Sequence, residues 1–322
     1  MGKRLLLIIN PHAGRAAIKA HALDVIDVFV REGYDVTCYT TQKTGDPAEI
    51  VEKIGCGFDR IVCCGGDGTV NEGLNGLMRL QKRPELGIIP AGVTNDYAYN
   101  LAIPSNAIKA AKVAAAGYPF AIDVGELEGQ FFSYVAAFGL FTDVTYETNQ
   151  NFKNALGRLA YLLEGVKRVS AIKSYRMCIE HDGGIEDGNF IIGLFSNSIS
   201  VAGVRTMYED ALLDDGKIEI ALVKMPTTLE DVQDIIEVLL NIESASSKDS
   251  DFFTIIHTEK AKITGTKPVA WTVDGESGGI HTTVEVRAHR CAVTVVAGRD
   301  MASNSVTALS GEETDAETHK LV

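Results

Sequence analysis

Several familiar features are missing from this 322-residue chain. It has no GxxxxGK[ST] loop, and no GxGxxG lies between a strand and a helix, which excludes two common glycine-rich nucleotide cradles. Long apolar runs are missing too. Near the N-terminus only residues 5–9 are continuously apolar, too few for a signal core or a bilayer span. Basic residues are in deficit: 30 Lys and Arg face 43 Asp and Glu, a formal charge of −13. That argues against general nucleic-acid binding, which needs a basic surface to replace counterions. Cys38, Cys56, Cys63, Cys64, Cys178 and Cys291 include no pair at zinc-site spacing. The expectation is a cytoplasmic protein whose cysteines are reduced and mostly buried, with Cys63 and Cys64 pointing to opposite faces of one strand.

What is present is a change of pattern part-way along the chain. Apolar strand-like runs at 5–9, 34–39, 61–64 and 86–89 alternate with helical spacing at 18–31, 46–54, 70–80, 95–100 and 108–116. Asp46 is expected at an N-cap, with Pro47 at the first helical position. This alternation predicts an open α/β domain with parallel strands over residues 1–123. Ligands of such sheets gather at the C-terminal strand ends, which brings together loops 10–15, 40–46, 65–69 and 90–96. From residue 124 to about 290 the pattern is β-rich. Strands are expected at 121–126, 131–136, 175–181, 188–195, 217–223, 254–263, 269–273 and 283–297, with helices at 156–168 and 229–241. An antiparallel second domain follows from this, with an element near 290–300 able to return to the first. Residues 301–322 are polar, acidic and aperiodic, and are expected to be a disordered tail.

The stretch GGDGTVNE, Gly65 to Glu72, stands where a strand should end and a helix begin. Glycines let a backbone approach a ligand closely, and a helix N-terminus offers unpaired N–H groups to an anion such as phosphate. Asp67 in the same loop would repel bare phosphate and so fits beside Mg²⁺ or a bound water. Thr69 adds a hydroxyl near the phosphate or caps the helix. The competing reading is a strand–helix turn whose glycines meet backbone geometry alone. Asp274-Gly275-Glu276 and Leu213-Asp214-Asp215-Gly216, each taken alone, read more often as a surface turn and a hairpin turn than as functional sites.

Taken together, these residues resemble the diacylglycerol kinase catalytic family, which includes bacterial soluble lipid kinases and sphingosine kinases. Gly65 to Glu72 is similar to that family's nucleotide loop, and Asn10-Pro-His-Ala-Gly-Arg15 to its first-strand loop. Pro90-Ala-Gly-Val-Thr-Asn-Asp96 resembles its PxGTxND segment, and Asp123-Val-Gly125 the opening of its second domain. Leu212-Leu-Asp-Asp-Gly216 and Val273-Asp-Gly-Glu276 resemble its two late motifs. The resemblance implies an α/β nucleotide domain like that of phosphofructokinases and NAD kinases, followed by an antiparallel β-sandwich domain. It implies an ATP- and Mg²⁺-dependent lipid kinase acting on diacylglycerol or a similar lipid alcohol. Matching positions imply ATP contacts from Asn10, Pro11, His12, Ala13, Gly14, Thr41, Gly65, Gly66, Asp67, Gly68, Thr69, Asn71, Glu72, Thr94, Asn95 and Asp96. They imply a structural Mg²⁺ site from Asp215 with backbone oxygens of Leu212 and Lys217, and a catalytic base in Glu276 with Asp274 beside it. Asp96 and Asp123 are further candidates for Mg²⁺ or its waters, with a helix cap as the alternative for Asp96.

The chain departs from the family pattern in places. The family threonine aligns with Val93, with Thr94 one place later, and Tyr99 stands where many relatives carry arginine, which Arg15 could partly replace. The stretch 151–177 holds six basic residues against Glu164 alone, interleaved with leucines. A transient contact with an anionic membrane at the inner membrane face is one expectation; a core-packed helix with a solvated basic side is the other. An NAD kinase-like enzyme and a catalytically silent nucleotide- or lipid-binding regulator remain as alternatives, and a homodimer is compatible with the sequence.

Overall fold

The computed structural model describes residues 2–14, 17–93, 95–139, 163, 169–196, 213–240 and 251–298. They divide into two units, Met1–Ala121 with Val293–Val322, and Ile122–Ala292.

The first unit alternates β1 (Lys3–Ile9), α1 (Ala22–Arg31), β2 (Tyr34–Thr40), α2 (Asp46–Ile54), β3 (Arg60–Gly65), α3 (Asp67–Met78), β4 (Glu85–Pro90), α4 (Asp96–Asn100) and α5 (Ala107–Ala116). The pairs among β1 to β4 are parallel. Leu5 lies opposite Val36 on one side and Arg60 on the other, and Cys64 lies opposite Ile89. Val295, near the end of the chain's last strand, pairs in parallel with Leu86, so the order is β2-β1-β3-β4-last strand. Leu5 to Ile8 and Ile61 to Cys64 are wholly buried. Such runs are apolar on both faces because crossover helices cover both faces of a parallel sheet. Cys63 and Cys64 follow that rule, and burial pushes both thiols up to about 12, which leaves them inert.

One buried cation stitches this unit together. Arg60 pairs with Glu85, lies over the Tyr34 ring at 5.5 Å, and donates to the carbonyls of Ala114 and Ala115 at 2.5 and 2.7 Å. Those carbonyls belong to the last turn of α5, which has no basic residue of its own. Arg60 therefore satisfies a helix C-terminus that the local sequence leaves bare.

Several expected boundaries change. The helix expected over 18–31 is a 3-10 turn, Ala17–Ala20, followed by α1, with His21 between them at φ −115° and ψ 1°. Asp46 is not the N-cap of α2. That position is Gly45 at φ 86°, while the Asp46 carboxylate accepts the N–H groups of Gln42 and Lys43 at 2.5 and 3.1 Å and closes the preceding loop. Helix α3 begins at Asp67, three residues earlier than the apolar spacing indicates.

In sequence, β5 (Tyr118–Leu127) leads into the second unit, which holds β6 (Gln130–Phe132), β7 (Val135–Gly139), β8 (Tyr175–His181), β9 (Gly184–Ser196), β10 (Ile218–Lys224), α6 (Leu229–Leu240), β11 (Phe253–Thr258), β12 (Lys260–Val273) and β13 (Glu276–Ala297). The order β11-β10-β9-β7-β12-β13 is antiparallel where it lies in this unit. Strand β8 pairs with the first halves of β9 and β12, and β7 with their second halves. The sheet wraps through these shared strands around Phe138, Phe195 and Trp271, whose ring centroids lie 5.1–6.2 Å apart. On the other face Val232 and Ile235 of α6 pack against Tyr134, Val135, Ile191 and Val223.

Two strand boundaries here are set by carboxylates. The strand expected over 131–136 divides at Ser133 and Tyr134, whose backbone N–H groups turn toward Asp274. The strand expected over 254–263 divides at Glu259, where Asp182 accepts the Glu259 N–H at 3.0 Å and the Thr258 hydroxyl at 2.8 Å. The helix expected at 156–168, apart from a buried helical Leu163, and the tail 301–322 lie outside the described residues. Among the described residues no helix is long and apolar enough to cross a membrane.

Candidate active site

In the first unit the loops after β1, β3 and β4 meet at one end of the sheet. The Asn10 N–H donates to the Cys64 carbonyl at 2.8 Å, and its side-chain amide donates to the Thr69 hydroxyl at 3.1 Å. The Asn10 side-chain oxygen accepts from His12 N–H at 3.0 Å and bends the Pro11–Gly14 turn. Thr69 is buried and holds this loop in place. It neither caps α3 nor lies open to a ligand. Thr41 is buried at the end of β2, its N–H donating to the Ile9 carbonyl at 2.9 Å.

The glycines bring two loops into backbone contact. The Ala91 N–H donates to the Gly65 carbonyl at 2.8 Å. A Cβ on Gly92 would lie 2.5 Å from the Gly66 Cα and 2.9 Å from the Asn95 side-chain oxygen. Asn95, in the left-handed region at φ 55°, clamps Gly92 from the other side, accepting its N–H at 2.8 Å and donating to its carbonyl at 3.1 Å. Gly66 is the extended N-cap of α3, with no side-chain cap, so no protein side chain occupies the cap position. Asp67 is the first helical residue, where the helix dipole favours a carboxylate, and it accepts the Tyr97 N–H at 3.1 Å. Asn71 and Glu72 follow on the same helix, half-buried. The structure thus brings Asn10, Gly14, Gly65 to Thr69, Gly92 and Asn95 together at one glycine-built sheet end that carries the Asp67 carboxylate. A separate cavity of about 230 Å³ lies beside Pro90 and Ala91, among Ile18, His21 and Ser105 to Ile108, and no residue of the Gly65 loop lines it.

Asp96 opens α4, and Asn95 takes the N-cap position considered for it. Thr94 and Arg15 lie outside the described residues, as do any contacts of the Asp96 side chain. Val93 and Tyr99 are exposed.

In the second unit Asp123 is completely buried. Its two oxygens accept the N–H groups of Gly216 and Cys291 at 2.5 and 2.6 Å, and its own N–H donates to the Leu213 carbonyl at 2.6 Å. That corrects the expectation of an open Mg²⁺ ligand: Asp123 braces the 213–216 turn against β13. Asp215 is half-buried, with one oxygen accepting the Lys217 N–H at 2.9 Å, and Lys217 is exposed. Leu212 lies outside the described residues. Sequence reasoning missed Glu219, buried on β10, whose Oε1 has no hydrogen-bond partner among the described residues. Burial, with the negative charges of Asp215 and Asp123 added, pushes its carboxyl up to about 8. The missed signal is a lone carboxylate inside the apolar run Ile218-Glu-Ile-Ala-Leu-Val223.

Among the described residues no three His, Cys, Asp or Glu side chains are grouped to hold a metal ion. A cation here would need backbone carbonyls beside Asp215, a hard-oxygen donor set that suits Mg²⁺. The half-buried carboxylate of Asp215 fits such an ion.

The Asp274-Gly275 pair forms the two-residue turn of the β12–β13 hairpin. Val273 is opposite Glu276, and φ is positive at both turn residues, 46° and 87°, as a type I′ turn requires. Glu276, the first residue of β13, is exposed, and its side chain makes no hydrogen bond among the described residues. Asp274 is not its free partner. Its Oδ2 accepts Ser133 N–H and hydroxyl at 2.9 and 3.2 Å, and its Oδ1 accepts the N–H groups of Tyr134 and Val135 at 3.1 and 2.8 Å. With four donors on one carboxylate, the reading of Asp274 as a catalytic acceptor is corrected.

Comparison with known proteins gives the family and the fold. The sequence model of the diacylglycerol kinase catalytic domain matches residues 4–127. A diacylglycerol kinase of Bacillus subtilis (strain 168) is 33% identical over 282 residues, spanning 86% of this chain and 91% of that protein. One from Staphylococcus carnosus (strain TM300) is 31% identical over 284 residues, spanning 87% and 90%. A solved structure of a diacylglycerol kinase from Bacillus anthracis str. Sterne has the same fold, with a TM-score of 0.72 at 24% identity over 93% of this chain and 98% of that one. With the paired glycine loops, the uncapped helix behind them and relatives of this extent, the chain is a kinase that belongs to the diacylglycerol kinase family.

Proposed function

We propose that this kinase transfers the γ-phosphate of ATP to the hydroxyl of diacylglycerol or a similar lipid alcohol, with Mg²⁺ as cofactor. The observation that carries the reading is the backbone contact of Gly66 with Gly92 at the uncapped start of α3. It leaves no side chain where the phosphates of a nucleotide would meet backbone amides. Asn10 and Asn95 hold the two loops, and Asp67 places a carboxylate where phosphate-bound Mg²⁺ would sit. Mg²⁺ supplies charge neutralisation to the transferring phosphoryl group when bound. A second ion would be held by Asp215 with the carbonyls of Leu212 and Lys217. Glu276 takes the proton of the lipid hydroxyl as the new bond forms, because a neutral alcohol is a poor nucleophile.

The test uses γ-labelled ATP, Mg²⁺ and mixed micelles of each candidate lipid, with NAD as a water-soluble control. Label extracted with diacylglycerol supports the reading; label on NAD alone replaces it with the NAD kinase alternative. The nucleotide site has its own test. Gly92→Ala forces a methyl against the Gly66 backbone and the Asn95 amide. Overpacking of this kind costs roughly 1–3 kcal/mol, so ATP binding is expected to weaken about 10- to 100-fold in a calorimetric titration. An unchanged affinity would place the nucleotide elsewhere.

Access to a lipid also needs a surface. We propose that the basic stretch within 151–177 makes transient contact with anionic membrane. Of its basic residues only Lys173 and Arg176 are described: Arg176 is paired with Asp187, and Lys173 lies over the Tyr175 ring. Lys167 and Arg168 therefore carry the test. Reversing both charges is expected to reduce cosedimentation with phosphatidylserine-containing vesicles several-fold, since each basic residue near such a surface contributes about 1 kcal/mol. Undiminished vesicle binding rules the membrane contact out.

A further inference from the structure

The β12–β13 hairpin turn is tied to a distant corner of the same unit by one carboxylate. Ser133, Tyr134 and Val135 point three successive N–H groups at Asp274, the Ser133 hydroxyl adds a fourth donor, and the Asp274 N–H returns a bond to the Val135 carbonyl at 2.8 Å. Successive N–H groups of this kind form a concave anion nest. Here the anion is a side chain of the protein itself, 139–141 residues away in sequence. The clamp lies at the sheet position where β7 pairs with β12, with Ala136 opposite Val273. Glu276 is two residues beyond Asp274, and its side chain has no hydrogen bond among the described residues. The direction in which its side chain leaves the backbone therefore depends on the turn, and the turn depends on the clamp.

We propose that Asp274 and Ser133 are positioning residues for Glu276: the carboxylate locks the hairpin turn onto the 133–135 corner and fixes the point from which Glu276 reaches the reacting hydroxyl. This inference rests on the reading of Glu276 as the proton acceptor of a lipid kinase. The physical reason for such a clamp is the sensitivity of proton transfer to small displacements of the accepting group. Asp suits the first turn position because it tolerates positive φ, and its ionised oxygens match N–H donors.

The test compares full-length wild type with Asp274→Asn, Ser133→Ala, the double variant and Glu276→Gln. Diacylglycerol phosphorylation, ATP affinity, thermal midpoint and the pH profile of kcat are read for each. In Asp274→Asn an amide NH₂ replaces one acceptor oxygen and faces an N–H donor. Its kcat is expected to fall roughly 10-fold and that of Ser133→Ala roughly 2- to 5-fold, with KM for ATP unchanged. The double variant should be no slower than Asp274→Asn, because Ser133 acts through Asp274. The acid limb of the pH profile should stay in place, because Glu276 is still present. Three results overturn the proposal. In the first, Asp274→Asn falls to the level of Glu276→Gln and loses the acid limb, which makes Asp274 the base. In the second, its thermal midpoint drops while kcat per ATP-binding molecule is unchanged, which makes the clamp structural only. In the third, applied if Asp274→Asn does not fold, Ser133→Ala turns over at the wild-type rate. A wild type that phosphorylates no lipid removes the lipid-kinase reading and this role with it, an outcome distinct from the other three because those require an active wild type.

Discussion

Glu276→Gln is expected to lower kcat for lipid phosphorylation by roughly 10²- to 10⁴-fold, the range attributed to a positioned acid or base. ATP affinity and thermal midpoint should stay within error. The prediction is sharp because the residue is exposed and without a hydrogen-bond partner among the described residues, so the amide removes proton affinity and little else. Gln keeps the shape of Glu, and the type I′ turn before it is untouched. Single-turnover measurements with γ-labelled ATP separate chemistry from binding. A variant that binds ATP as wild type does and transfers phosphate at the wild-type rate would show that another group accepts the proton.

Glu219→Gln is expected to stabilise the protein at alkaline pH and to remove most of a pH dependence that wild type shows. The folded protein raises this carboxyl from 4.5 to about 8. Between those values the folded state keeps a proton that the unfolded state has lost, so stability is fully present below the unfolded value and falls as pH rises through the folded one. The interval corresponds to as much as about 5 kcal/mol. Asp123 contributes a slope of the same sign, because burial also raises its carboxyl, so some dependence persists in the variant. Denaturant titrations of both proteins from about pH 5 to about pH 9, without divalent cations, read the difference directly. Parallel curves for the two proteins would mean that Glu219 is solvated or paired in the folded state.

The two residues differ in how far sequence could find them. The Asp-Gly turn that carries Glu276 was legible because positive φ selects these residue types locally. Glu219 was not, since burial of one acid in an apolar strand depends on β9 and β11 flanking it, with Ser196 and His257 at the paired positions. Asp274 and Asp123 are a third kind. Asp274 was read beside the catalytic base and Asp123 beside Mg²⁺ or its waters, and in the structure each accepts backbone N–H groups from residues far along the chain. Arg60 was not singled out by sequence, and in the fold it meets a helix C-terminus.

The alternation of apolar runs with helical spacing determined the parallel first unit, because period and burial are local properties of the chain. The glycine loops and the Asp-Gly hairpin were equally local, since positive φ and close backbone approach select residue types position by position. Tertiary structure alone decided where strands break, which carboxylates face solvent, and which are consumed by the backbone. Those outcomes depend on donors contributed by segments tens to more than a hundred residues away, and a buried acid takes whatever hydrogen bonds the fold supplies. Sequence thus set the local conformations and the order of the motifs, and long-range hydrogen bonding engaged the Asp274 carboxylate while Glu276 stayed exposed.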